Sequence, residues 1–73
     1  MDVESPAQLG SALRARRKQL RLTQLDLAEL SGVSVRFVRD LERGKPTVQL
    51  ALVMTITRTL GGRLGVSLPE REQ

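Results

Sequence analysis

A chain of 73 residues supports one domain with a small core, and the absence of Cys and His removes disulfides, thiol chemistry, the usual zinc ligand sets and the commonest general base. The formal charge is +4, but Asp2, Glu4, Glu70 and Glu72 sit at the ends, so between Ser5 and Gly65 eleven Lys or Arg stand against four Asp or Glu, a body of +7. Such a body suits a polyanionic partner or is merely a solvated basic surface, and one aromatic residue, Phe37, is too few to stack single-stranded bases.

No apolar run approaches the roughly 20 residues of a spanning helix. The N-terminal stretch MDVESPAQLG carries acids where a signal peptide needs positive charge. The chain is therefore expected to be soluble and intracellular. Domains this small often lean on oligomerisation.

Residues 1–5 read as an arm. Ser5-Pro6-Ala7-Gln8 is a helix start: Ser caps, Pro fits the first helical position and Gln occupies the capping-box position. Leu9, Leu13, Arg16 or Arg17, and Leu20 recur at helical spacing, which predicts a first helix over about 6–20. Thr23 caps a second, short helix with Leu27, Ala28 and Leu30 inward and Asp26 at the positive end of the dipole. Ser31-Gly32 stops it.

Ser34 caps a third helix, 35–43. At 100° per residue Phe37, Val38 and Leu41 share one face, while Arg36, Arg39 and Arg43 lie opposite, flanked by Val35 and Asp40. Gly44 ends it and Pro46 prevents continuation. Thr47 is expected to cap a fourth helix, about 48–60, closed by Gly61-Gly62. Leu50, Val53, Met54, Thr57 and Leu60 make one stripe; Leu52 and Ile56 make a second. The second stripe belongs either to a central core helix or to a dimer surface.

Residues 62–68 contain an alternation of apolar with small or polar side chains, Leu64, Val66 and Leu68 being the apolar set. This is the period of a strand. A lone strand leaves its backbone groups unpaired, so the segment either pairs with the same tail of a second copy or is a frayed end. Residues 69–73 are expected to be disordered.

Two short helices joined through a glycine-containing turn, the second basic on its outer face, form a helix-turn-helix pattern. The physical logic is that a helix entering the major groove needs an apolar back and a polar front. Arg reads guanine through O6 and N7, and Arg36 and Arg39 sit in the first turns, where base contacts are made. Ser34 and Gln24, each at a helix start, suit backbone phosphates that set the register. The hydroxyl residues lack a base partner, no catalytic or metal constellation is present, and neither an enzyme activity nor a cofactor is expected.

The run Thr23-Gln24-x-x-Leu27-Ala28-x-x-Ser31-Gly32-Val33-Ser34-x-x-Phe37-Val38-x-x-Leu41-Glu42-Arg43-Gly44-Lys45 resembles the Cro/cI-type (XRE) helix-turn-helix family. That resemblance implies an all-α, small four-helix lambda-repressor-like domain over 6–61, while the unpaired 62–68 strand is expected from its own backbone groups to pair across a homodimer. It implies base reading by Val35, Arg36, Arg39 and Asp40, and phosphate contacts from Thr23, Gln24, Ser34, Arg43 and Lys45. It also implies a structural ion pair between Arg17 and Glu42. Leu52, Ile56, Leu64, Val66 and Leu68 are the expected dimer residues. Val35 stands where the family often has a polar residue, so the base read there stays open.

A narrower resemblance, carried by Arg36-Phe37-Val38, Leu41 to Thr47 and the Leu60-Gly61-Gly62 closure before the tail, is to the HipB-like antitoxins. It implies palindromic double-stranded operator DNA and a HipA-like kinase toxin as partners, in the bacterial cytoplasm at the nucleoid. A plain phage, plasmid or restriction-system repressor remains the alternative, and a protein-interaction module without DNA a third. The arginine face and Gln24 speak against the last. No membrane partner or small-molecule substrate is expected.

Overall fold

The computed structural model describes residues 2–71; Met1 of the expected arm, and Glu72 and Gln73 of the expected disordered tail, lie outside the described residues. Four helices follow in order: α1 (Pro6–Gln19), α2 (Gln24–Ser31), α3 (Val35–Glu42) and α4 (Leu50–Thr59). No strand forms among the described residues.

Three of the four starts follow from side-chain capping. Ser5 Oγ accepts from the amide of Gln8, with Pro6 at the first helical position. Gln8 Oε1 reaches back one residue further than a capping box requires and accepts from the Glu4 amide. At α2 the box is reciprocal: Thr23 Oγ1 accepts from the Asp26 amide and Asp26 Oδ2 from the Thr23 amide. Ser34 Oγ accepts from the Phe37 amide at 3.1 Å. α4 departs from expectation. Its N-cap is Gln49 rather than Thr47, with no side-chain cap, so the helix begins at Leu50.

The core is Leu13 from α1, Leu27 and Ala28 from α2, Val38 and Leu41 from α3, and Val53, Ile56 and Leu60 from α4 and its end. Phe37 and Val35 pack against its edge. Three residues of the expected apolar faces turn outward, and one expected at a dimer surface turns inward. Leu30 is exposed on α2, Met54 and Leu50 are exposed on α4, and Ile56 is fully buried. Nearly every position of LALVMTI is apolar, so more than one stripe can be drawn on α4. Packing selects 53, 56, 57 and 60, one contiguous ridge at helical spacing, and turns Leu50 and Met54 outward.

Gly32 ends α2 in the left-handed conformation (φ 72°), which costs glycine little. Gly10 serves a different purpose. A Cβ there would run into the carbonyl of Leu41 and lie 2.8 Å from that of Glu42, so α1 lies directly against the end of α3 only because this residue has no side chain. Two polar tethers fix α4: Arg16 Nε donates to the Leu60 carbonyl at 3.0 Å, and Ser31 Oγ donates to Thr59 Oγ1 at 3.1 Å.

Residues 62–71 are exposed and carry no regular secondary structure. The strand expected at 62–68 does not form within one chain, which has no described segment for it to pair with. Val66 and Leu68 are 83% and 80% exposed, and Leu64 is exposed to a smaller extent.

Candidate nucleic-acid interface

α3 separates its faces sharply. Val38 and Leu41 are buried, whereas Arg36, Arg39 and Arg43 are exposed and form no ion pair or side-chain hydrogen bond with any described residue. Three guanidinium groups stand free in water on one side of α3, two from the helix itself and the third from its C-cap, Arg43. The flanking residues are less free. Val35 is half-buried against the core. Asp40 faces Lys45, with Nζ 3.6 Å from Oδ2, and the Lys45 amide donates to the Asp40 carbonyl. A proposed base reader and a proposed phosphate contact are thus engaged with each other.

Behind this face lies a buried polar cluster. Arg17 donates from Nε to Glu42 Oε2 at 2.7 Å and from Nη2 to Oε1 at 2.9 Å, the two-pronged geometry that fits guanidinium to carboxylate. Its Nη1 donates to the Leu22 carbonyl at 2.8 Å, which also fixes the turn between α1 and α2. Gln24 Nε2 donates to Glu42 Oε1 at 3.1 Å. The start of α2 is thereby tied to the end of α3, next to Arg43. Burial pushes the Glu42 carboxyl up, but the hydrogen bonds from Arg17 and Gln24 and the charges of Arg17 and Arg14 outweigh it, leaving the carboxyl below its usual range. The hydrogen bond to Glu42 likewise raises Arg17 above the ordinary arginine value, against the opposing effect of burial.

Thr23 and Ser34 are exposed caps, each accepting an amide hydrogen bond and keeping its own hydroxyl proton. Among the expected dimer residues, Leu64, Val66 and Leu68 are on the surface and Leu52 is half-buried. Ile56 is not available to a second copy, because this chain's own core fills the space around it.

Sequence reasoning missed three contributors. Arg16, placed in the sequence only by its helical spacing, caps the end of α4. Gln24, expected at a backbone phosphate, donates to Glu42. Gly10 carried no motif, and its contact with the end of α3 has no signal in the sequence around it.

The helix-turn-helix family model matches residues 13–69, most of the chain and all of α2, α3 and α4. The protein belongs to the Cro/cI-type helix-turn-helix family. Its relatives include an uncharacterised HTH-type transcriptional regulator, y4mF, of Sinorhizobium fredii, 40% identical over 67 residues that cover 92% of this chain and 88% of that one. Another uncharacterised HTH-type transcriptional regulator, from Methanothermobacter thermautotrophicus, is 43% identical over 53 residues, covering 73% and 77%. This helix-turn-helix protein is an XRE-type DNA-binding transcriptional regulator, a non-enzymatic class.

Among solved structures, HipB in an O4 20mer complex matches with a TM-score of 0.85 at 23% identity, covering 96% of this chain and 99% of that one. HipB in a HipA–HipB–O2–O3 complex gives the same values. The regulator therefore shares the HipB fold. The clp gene regulator ClgR of Corynebacterium glutamicum matches at 33% identity and a TM-score of 0.72, covering 86% of this chain and 67% of that one. No described helix of the regulator is long and apolar enough to cross a membrane.

Proposed function

We propose that the regulator is a homodimeric, sequence-specific repressor that acts as the antitoxin of a HipBA-like pair, binding a palindromic operator at its own promoter and neutralising a kinase toxin. The observation that carries the DNA part is the row of free arginines on α3, backed by an apolar face and braced from below by Arg17 and Glu42. Arg36 and Arg39 read base edges; Asp40 and Val35 border them, with Val35 limited by its burial to a methyl contact. Thr23, Gln24, Ser34, Arg43 and Lys45 hold phosphates and set the register.

The antitoxin part is supported by the likeness in fold to HipB over nearly the whole length of both chains, including the tail. The dimer part is supported by apolar surface with no cover in one chain: Leu50, 64% exposed, and Met54 on α4, with Leu52 at the edge, and Leu64, Val66 and Leu68 on the tail. Two tails pairing as strands would satisfy the backbone groups that one tail leaves open.

A stand-alone repressor is the second reading, favoured by the curated relatives and by ClgR, which are transcriptional or gene regulators by name. Co-purification of the tagged protein from its host at high salt separates the two. High salt strips phosphate-driven contacts, so a retained partner is held by protein surface. A kinase-like protein encoded beside the regulator is the expected companion; recovery of the regulator alone, from cells shown to express its neighbours, leaves the stand-alone repressor.

A further inference from the structure

Arg14 has no role in the reading above. It sits on α1, half-exposed at 55% of its side chain, with Nε 4.0 Å from Glu42 Oε1. That distance is beyond a hydrogen bond. Arg14 makes no side-chain hydrogen bond among the described residues, while Glu42 accepts two from Arg17 and one from Gln24. The Arg14 guanidinium is thus held near the carboxylate by charge alone, and its donors are free. Two guanidinium groups around a single carboxylate leave a surplus positive charge, and the exposed member carries it to the surface.

The second half of the geometry comes from Gln24. Its Nε2 is 3.1 Å from the same Glu42 oxygen, so the Arg14 and Gln24 nitrogens are no more than about 7 Å apart. A carboxylate only accepts, so the amide nitrogen faces Glu42, and a second N–H on that nitrogen is left over. Two donors at that separation match the two unesterified oxygens of one phosphate, each oxygen about 2.9 Å from its donor.

We propose that Arg14 and Gln24 are the two jaws of a clamp on a single phosphodiester of the DNA backbone, with Glu42 as the positioning residue that aims both. This rests on the DNA-docking reading of α3. It assigns a phosphate contact to α1, outside the helix-turn-helix itself, and gives Glu42 a reason to hold three helices by one carboxylate.

Fluorescence anisotropy with a mixed-sequence DNA duplex, repeated across a salt series, tests the clamp through wild type, Arg14→Ala, Arg14→Lys, Gln24→Ala and the double variant Arg14→Ala/Gln24→Ala. Loss of one phosphate contact lowers the salt slope by about 0.9, which near 0.1 M salt is about an eightfold loss of affinity. Arg14→Ala is expected to show both changes at a temperature where it is still fully folded, and Arg14→Lys to keep the slope. The double variant should lose less affinity than the product of the two single losses, because both jaws hold the same phosphate. An unchanged slope in Arg14→Ala, or strictly multiplicative losses, overturns the clamp. A wild-type protein that does not bind duplex DNA overturns the DNA-docking reading itself.

Discussion

Glu42 joins α1, α2 and α3 through one carboxylate, and its chemistry sets the most sensitive point of the molecule. Removing Arg17 leaves that buried charge without its partner. Arg17→Ala should destabilise the fold by about 3 kcal/mol in chemical denaturation, because an uncompensated buried charge costs more than the pair contributes. The linkage has a definite sign. The folded carboxyl titrates below its unfolded range, so the unfolded state binds the proton more readily in acid. The Glu42 contribution is complete above the ordinary glutamate range, around pH 4, and is lost as the pH falls through the lower folded value. Melting curves in that acid window should show a steeper loss of stability for wild type than for Glu42→Gln. On the outer face, Arg36→Ala or Arg39→Ala should each cost about 1–3 kcal/mol and relax specificity at one base position, as read by binding to a panel of single-base operator variants. An equal loss on specific and shuffled DNA would remove these two residues from base reading.

At the scale of elements, α3 is aimed by backbone contact as much as by charge. Gly10 lets α1 meet the Leu41 and Glu42 carbonyls. Gly10→Ala should force α1 off α3, costing about 1–3 kcal/mol, the usual range for overpacking. DNA affinity should fall with it at temperatures where the variant is still folded, because the clamp and the arginine face move apart. Unchanged melting and binding would show that α1 and α3 tolerate more space than the contact implies. The caps at Ser5, Thr23 and Ser34 were legible in the sequence because each is a local event: a hydroxyl three residues before an amide it can reach. The inward face of α4 was not. Its apolar residues surround the axis, and only the positions of α1, α2 and α3 decide that Ile56 enters the core and Met54 does not. The tie between Arg16 and the Leu60 carbonyl spans 44 residues and has no local trace at all.

For the molecule as a whole, a 73-residue chain that leaves Leu50, Met54, Val66 and Leu68 in water invites a second copy to cover them. The alternation in the tail was legible; whether it forms a strand was not, since the partner backbone belongs to another chain. Val66→Asp should raise the dimer dissociation constant measured by sedimentation, since a charge would enter the buried tail pairing. An unchanged constant would refute pairing through the tail. Presentation of α3 by two copies to successive major grooves can be read from the protein's preferred sites, selected from a randomised duplex library. The expected consensus is an imperfect palindrome with half-site centres roughly 10 base pairs apart, whose fixed positions relax one at a time in Arg36→Ala and Arg39→Ala. Enrichment of unrelated sequences with no two-fold symmetry, or a consensus indifferent to both arginines, would contradict it.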